Sequence, residues 1–307
     1  MPLLETDRLT KEYPGVTALD ALTLSVEPGI IGLMGANGAG KSTLIKILLG
    51  LIPATSGSAK LLDYDVVREG LELRRYVGYM PEHDCLPTDV SATDFVSHMA
   101  QINGLPGAAA RERTAEVLRH VGLFESRYRD IRGYSTGMKQ RVKLAQALVH
   151  DPRVLLLDEP TNGLDPAGRD DMLDLIRRTG REFGISIFLS SHLLGEIERV
   201  CDHLVVIEAG RLLRADSIAS FTRETGGLTV EVDGDADEMA KRLHAQGFEV
   251  TADRHILLIS GSDDVYDAIR DEAVDLGLGI IRMEHRRHQL EDLFRAAANP
   301  EPEATHA

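Results

Sequence analysis

The stretch Gly35-Ala36-Asn37-Gly38-Ala39-Gly40-Lys41-Ser42-Thr43 decides how this chain is read. It follows a short apolar run, Ile30–Met34, and leads into Thr43–Leu51, an apolar segment that reads as a helix. Strand, glycine loop, helix is the setting in which the pattern G-x-x-x-x-G-K-[ST] binds phosphate. Glycines let backbone N–H groups approach and cradle phosphate oxygens. The helix beginning near Lys41 adds about half a positive charge at its N-terminus. Lys41 is placed to reach the β and γ phosphates, and Ser42 to ligate Mg²⁺. Alone, the loop points to a nucleotide and nothing more; the competing reading is a glycine-rich turn that binds nothing.

Further along, Arg153-Val-Leu-Leu-Leu-Asp158-Glu159-Pro160 puts two carboxylates at the end of an apolar run. The run Val154–Leu157 has the continuous hydrophobicity of a strand buried on both faces of a parallel sheet. Asp158 is placed to hold Mg²⁺, directly or through its water shell. Glu159 can poise the attacking water as general base. An Asp-Glu pair after a strand is often an ordinary turn; the phosphate loop upstream and Thr161-Asn-Gly-Leu-Asp165 downstream make it specific. A second apolar run, Ile185–Leu189, is followed by Ser190-Ser191 and His192. As the end of a neighbouring parallel strand, His192 faces the crevice where such sheets bind ligands. There it can contact the γ phosphate and orient the water, although a lone histidine is more often structural or merely exposed.

The rest of the chain fits an α/β layout. Leu9–Val26 reads as short strands and turns, with a turn at Pro14-Gly15. Ser91-Ala-Thr-Asp94 opens a helix with a capping-box-like start, and a second helix covers about Ala108–Val121. Met138, Val142, Ala145 and Leu148 fall on one face of a third. Leu204–Ile207 and Arg211–Leu213 flank Ala209-Gly210 as a hairpin. The composition shifts near Ala215, beyond which two strand–helix–strand units follow. One runs from Leu228–Val232 through Met239 and Leu243 to Phe248–Val250. The other runs from Ile256–Ile259, through the Ser260-Gly-Ser262 turn, Val265 and Ile269, to Gly279–Ile281. They suggest a small split β-α-β domain. Asn299–Ala307 reads as a disordered tail.

Bulk composition narrows the classes. At 307 residues the chain is comfortable for two domains. Its 34 basic and 49 acidic residues leave a net charge of −15. A general nucleic-acid binder would normally be basic, so no nucleic-acid partner is expected. Cys85 and Cys201 lack metal-type spacing, which fits a reduced cytosolic setting. Met1–Leu9 carries Glu5, Asp7 and Arg8 and so lacks the apolar stretch of a signal peptide. No segment approaches the roughly 20 apolar residues a spanning helix needs. Any membrane-spanning part is expected on another chain.

Tyr134-Ser135-Thr136-Gly137-Met138-Lys139-Gln140-Arg141 resembles the signature of the ATP-binding-cassette (ABC) family. That signature is usually Leu-Ser-Gly-Gly-Gln, and the form here looks like the variant found in type-2 drug exporters. Ser135 can cap the following helix, leaving N–H groups free for an anion. A plain helix cap fits the local sequence equally well, and the position ahead of Asp158-Glu159 favours the signature. The resemblance covers about Leu3 to Ala215. It implies a P-loop NTPase cassette at 1–215, with a mixed, mainly parallel sheet and a helical subdomain at about 88–148. An α+β accessory domain of ferredoxin-like form is expected at 216–298. There, His288-Gln-Leu-Glu-Asp-Leu-Phe294 resembles an ending common in exporter cassettes. Stabilising the cassette and regulating it are both open as the role of this domain.

The resemblance further implies ATP and Mg²⁺ as ligands and a second cassette, identical or a sister subunit. The two would close head to tail, so that Ser135, Thr136 and Gly137 contact ATP across the interface. Asp165 is implied as the loop residue linking the two sites. Tyr13 matches the aromatic that stacks on adenine, with a surface strand aromatic as the competing reading. A permease on a separate chain is implied, which would hold this one peripherally at the cytoplasmic face of the cell membrane. Two positions depart from the family pattern. Glu82 stands after Val77-Gly-Tyr-Met-Pro81 where glutamine is usual; as a carboxylate it should bind Mg²⁺ more strongly yet repel the γ phosphate. Thr136 replaces the first signature glycine. The expected function is the ATP-hydrolysing subunit of an exporter. Two alternatives are a soluble ABC ATPase acting on a non-membrane partner and a P-loop kinase, which would need no signature.

Overall fold

A strand buried on both faces needs apolar side chains on both, and three runs of this chain supply them. They are β3 (Ile30–Met34), β7 (Val154–Asp158) and β8 (Ser186–Ser191). In the computed structural model they lie side by side and parallel, with Ile31 opposite Phe188 and Phe188 opposite Leu156. The structure describes residues 2–83, 85–220, 227–260 and 265–286. Ser262, His288–Phe294 and the expected tail at 299–307 lie outside the described residues. On one side of the central strands, β9 (His203–Glu208) runs parallel to β3, and β10 (Arg211–Ser217) turns back antiparallel to β9. Their turn places Ala209 at φ 46° and Gly210 at φ 80°, the left-handed pair that matches hairpin twist. On the other side lies β6 (Val77–Met80). The order is β10-β9-β3-β8-β7-β6, so β6 is an edge.

A second sheet is antiparallel, with order β2-β1-β4-β5. Its strands are β1 (Leu4–Tyr13), β2 (Val16–Val26), β4 (Ser56–Leu61) and β5 (Tyr64–Asp65). Here the expectation of short strands between Leu9 and Val26 is corrected. The structure has two long strands joined at Pro14-Gly15. Their register slips between Thr6 and Leu9 and again before Lys11 and Glu12. Arg8 and Ala21 take positive φ at these irregularities. Each bulge breaks the alternation of apolar and polar residues, so one strand reads as fragments. Helix α1 (Lys41–Leu48) buries Leu44, Ile45, Ile47 and Leu48 in a core shared with Leu4, Leu61, Leu156 and Phe188. Full burial of each such side chain contributes about 2 kcal/mol.

The short α2 (Gly70–Leu73) precedes β6. Three helices then follow: α3 (Ala92–Ile102), α4 (Gly107–His120) and α5 (Thr136–Leu148). Ser91 caps α3, its Oγ accepting from the Asp94 N–H at 3.1 Å. Helix α6 (Pro166–Phe183) ends at Gly184, which takes φ 64°, and α7 (Leu194–Val200) follows β8.

The position of α5 is set by the edge of the sheet. A Cβ at Gly78 would collide with the Ala147 carbonyl oxygen, so only glycine lets the helix come this close. The side chains of α5 and the residues after it then meet outward-facing carbonyls of β6. Gln146 Nε2 donates to Tyr79 O at 3.3 Å, and His150 Nε2 lies 3.1 Å from Val77 O. The edge is thereby covered. Met138, expected on the buried face of α5 with Val142, Ala145 and Leu148, is only half-buried. Gln140 and Lys143 are buried instead, because they have polar partners to meet.

The chain divides into two compact units between Ile218 and Ala219. The second unit contains β11 (Gly227–Val232), α8 (Asp237–Ala245), β12 (Glu249–Asp253), β13 (Ile256–Ser260), α9 (Val265–Leu276) and β14 (Ile280–Arg286). The sheet order is β12-β13-β11-β14, antiparallel throughout. Each strand–helix–strand unit is split by a strand of the other, the ferredoxin-like arrangement. Leu228, Val230, Met239, Leu243, Leu257 and Ile269 centre its separate core.

Candidate active site

The loop after β3 is shaped by what glycine permits. Gly38 and Gly40 take φ 86° and 107°, in the left-handed region. A Cβ at Gly40 would strike the Ala18 carbonyl, and one at Gly35 the Ile207 carbonyl. Helix α1 starts at Lys41, as expected, two residues ahead of the apolar segment that begins at Thr43. It follows directly on left-handed Gly40, with no side chain capping it. Its first N–H groups are therefore left to an anion. Lys41 is buried, and its Nζ donates to Gly35 O at 2.7 Å and Ala36 O at 3.3 Å.

Both carboxylates sit at the mouth of this loop. Asp158 ends β7 and is 3% exposed. Its Oδ1 accepts from Ser190 Oγ at 2.7 Å and from Ser42 Oγ at 3.3 Å. Glu159 departs from the strand at φ 47°, a conformation costing about 1 kcal/mol for a residue with a Cβ. That turn keeps its N–H on Ser190 Oγ at 2.9 Å and carries its carboxylate toward the loop. Glu159 Oε1 lies 3.6 Å from Lys41 Nζ, and Oε2 lies 2.9 Å from His192 Nδ1. An ionised carboxylate only accepts, so Nδ1 is the donor. Burial, with the charge of Asp158 added, pushes the Tyr79 phenol up to about 12.

A cavity of about 310 Å³ is lined by Asn37, Gly38, Gly40, Lys41, Ser42, Thr43, Glu82 and Glu159. Glu82 is half-buried, and its Oε1 accepts from Asn162 Nδ2 at 3.1 Å. The structure thus brings together the loop, Asp158, Glu159, His192 and Glu82. Ser135, Thr136, Gly137 and Asp165 do not line this cavity. Ser135 is exposed and caps α5, its Oγ accepting from the Met138 N–H at 3.3 Å. Asp165 caps α6 through Gly168 N at 3.2 Å. Thr136 and Gly137 face Gly163 and Leu164 closely enough that Cβ atoms added to the glycines would be in contact. Tyr13 ends β1, 42% exposed, with Lys11 Nζ 5.0 Å from its ring.

Several residues that shape the site were not singled out by sequence. Ser190 holds both Asp158 and the Glu159 backbone. Glu196, 4% exposed, accepts from Thr161 Oγ1 at 2.9 Å and Ser191 Oγ at 2.6 Å, tying together the loops that carry Glu159 and His192. Lys143 donates to the carbonyls of Pro81, Glu82 and His83. The signal for them was polar residues inside apolar segments: Ser190 at the end of β8, Gln140 and Lys143 within α5.

The residues fit a nucleotide triphosphate and Mg²⁺. The open α1 N-terminus and Lys41 suit phosphate oxygens. Ser42, Asp158 and Glu82 offer hard oxygen donors. Among the described residues no group of three or more His, Cys, Asp or Glu forms a metal site by itself. Mg²⁺ takes one or two carboxylates and completes its shell with phosphates and water, and the oxygens of Ser42, Asp158 and Glu82 are donors of that kind.

Comparison with known proteins agrees with this chemistry. Residues 19–162 match the family model described as ABC transporter. The bacitracin transport ATP-binding protein BcrA of Bacillus licheniformis is 40% identical over 212 residues, covering 69% of this chain and 68% of that one. The linearmycin resistance ATP-binding protein LnrL of Bacillus subtilis is 30% identical over 302 residues, covering 95% of this chain and 97% of its own. Among solved structures, cbiO1 of Clostridium perfringens, part of the CbiONQ ABC transporter complex, superposes with TM-score 0.67. It is 29% identical and covers 73% of this chain and 91% of its own.

Proposed function

This chain belongs to the ABC transporter family, and on that premise we propose that it hydrolyses ATP to drive a separate membrane-spanning exporter. The observation that carries the reaction is the Glu159 carboxylate, held between Lys41 at 3.6 Å and His192 at 2.9 Å at the rim of the phosphate loop. In this reading the loop Gly35–Thr43 binds the phosphates, and Lys41 exchanges its carbonyl partners for phosphate oxygens. Ser42 and Asp158, with Glu82, would hold Mg²⁺, which supplies positive charge against the phosphates when bound. Glu159 takes a proton from water as the water oxygen bonds to the γ-phosphorus and the bond to the β–γ bridging oxygen breaks. His192 fixes the Glu159 carboxylate through Nδ1 and orients that water. Tyr13 contributes an aromatic face for adenine.

The exposed Ser135 and Thr136 lie outside the chain's own cavity, which supports their use by a second cassette. Two chains closing head to tail would place the Ser135 helix of each against the ATP of the other, with Asp165 at the junction. Relatives named for bacitracin transport and linearmycin resistance support export of an antibiotic-like cargo. Among the described residues no helix is long and apolar enough to cross a membrane, so the permease is assigned to another chain at the cytoplasmic face. A groove of about 600 Å³ beside Ile52, Val67, Leu71 and Arg74 leaves Leu71 82% and Val67 77% exposed. Exposed apolar side chains grouped in this way suit a protein partner, and the permease is assigned there.

Glu159→Gln tests the reading. The variant should bind ATP, lose hydrolysis, and accumulate as an ATP-dependent dimer in size-exclusion chromatography. Retention of full ATPase activity would sink the assignment.

A further inference from the structure

Helix α5 turns a polar row toward the interior. Gln140 and Lys143 are 6% and 2% exposed, on a helix whose buried neighbours include Val142, Leu144 and Ala147. Burying an ammonium is costly without partners. Lys143 Nζ meets three successive carbonyls: Pro81 O at 2.7 Å, Glu82 O at 2.9 Å and His83 O at 3.4 Å. One cation therefore sets the path of the chain where it leaves β6, which is the stretch that carries Glu82. The Glu82 side chain is tied separately. Its Oε1 accepts from Asn162 Nδ2 at 3.1 Å, while Asn162 O accepts from Gln140 Nε2 at 3.1 Å. The circuit runs from α5 through Asn162 to Glu82 and back to α5 through Lys143. An apolar side chain in place of Lys143 would leave those three carbonyls without the lysine's donors.

We propose that Lys143 is a positioning residue. Its ammonium clamps Pro81–His83 to the helix capped by Ser135, and so fixes where the Glu82 carboxylate stands beside the phosphate loop. This rests on the reading of Glu82 as a Mg²⁺ donor.

Lys143→Met keeps the side chain's length and removes its donors; Lys143→Arg keeps a cation. Hydrogen exchange of the nucleotide-free protein tests the clamp by itself. Peptides covering residues 79–86 should exchange faster in the Met variant, with α3 and α4 unchanged, and the Arg variant should restore protection. Identical exchange in the Met variant and wild type overturns the clamp, whatever the protein does with ATP. If the Met variant does not fold, Lys143→Gln, with a donor of shorter reach, takes its place. Binding of a fluorescent ATP analogue with and without Mg²⁺ tests the positioning. The Met variant should lose about tenfold of the affinity that Mg²⁺ adds and keep its Mg²⁺-free affinity. Combined with Glu82→Gln it should lose nothing further, since both act through one group. Additive losses, or an equal loss without Mg²⁺, overturn the proposal. A wild type that binds no ATP overturns the functional reading and the positioning step with it, while exchange still decides the clamp.

Discussion

His192 Nδ1 lies 2.9 Å from Glu159 Oε2, joining the ends of two neighbouring parallel strands, β8 and β7, across the mouth of the phosphate loop. The histidine is 48% exposed by its side chain and the glutamate 9%, so one partner of the pair faces outward while the other is held inside. Removing the imidazole takes away the contact that holds Oε2. His192→Ala should therefore lower the ATPase rate by about 10²–10⁴-fold, the range for loss of a positioned acid–base group. ATP affinity, which rests on the loop, should stay near wild type. A steady-state assay beside a binding titration separates the two; a large loss of affinity with normal turnover would contradict the role given to His192.

The groove that exposes Leu71 and Val67 carries the second prediction. Leu71→Asp and Val67→Asp place charges on side chains that already face solvent, so folding should be little affected. Basal ATPase of the purified chain should persist. Co-purification with a permease, and drug resistance in cells expressing both, should fall. Undiminished co-purification of the double variant would move the permease contact elsewhere.

The third concerns acid. Burial lowers the pKa of His150 below the ordinary histidine value of 6.5, although its contact with Val77 O works in the opposite direction. His120 is lowered as well, by burial and by the nearby Arg178. A histidine whose folded pKa is depressed is neutral in the native state and takes up its proton more readily when unfolded. Its contribution to stability is complete above the unfolded pKa and is lost as pH falls toward the folded value. The melting temperature should therefore decline as pH is lowered from about 7.5 through 6.5. His150→Gln keeps an amide donor for Val77 O and removes the titration. Its melting temperature should depend less on pH over this window; an unchanged slope would remove His150 as a cause.

The sequence was most legible where chemistry demands a residue type in a fixed place. Gly35–Thr43, Asp158, Glu159 and His192 were picked out by pattern, and the structure brings them into one crevice. The parallel strands were legible because Ile30–Met34 and Val154–Leu157 are apolar without interruption. Two kinds of feature were hidden. Bulges at Arg8 and Ala21 disrupted the alternation that would have shown β1 and β2 at full length. Ser190 and Glu196 were hidden because they bridge strand ends and loops far apart in the chain, and Lys143 because its partners are backbone oxygens, which carry no residue identity. Met138 misled because a periodicity rule assigns the inner face to apolar residues and cannot anticipate the carbonyls of Asn162 and Pro81–His83 that Gln140 and Lys143 meet there.

The cover that α5 lays over β6 also bears on how the chain emerges during synthesis. Strand β6 is made before α3 and α4, and both its sheet neighbour β7 and its cover α5 come only after them. At roughly 5–20 residues per second, a ribosome leaves that strand with neither flank satisfied for several seconds. For that interval Val77–Met80 is a bare template for any passing strand. The stretch is short and holds Gly78, which limits how well it can recruit one. The glycine that lets the helix dock at the finished edge is thus also a safeguard for the nascent chain before the helix exists.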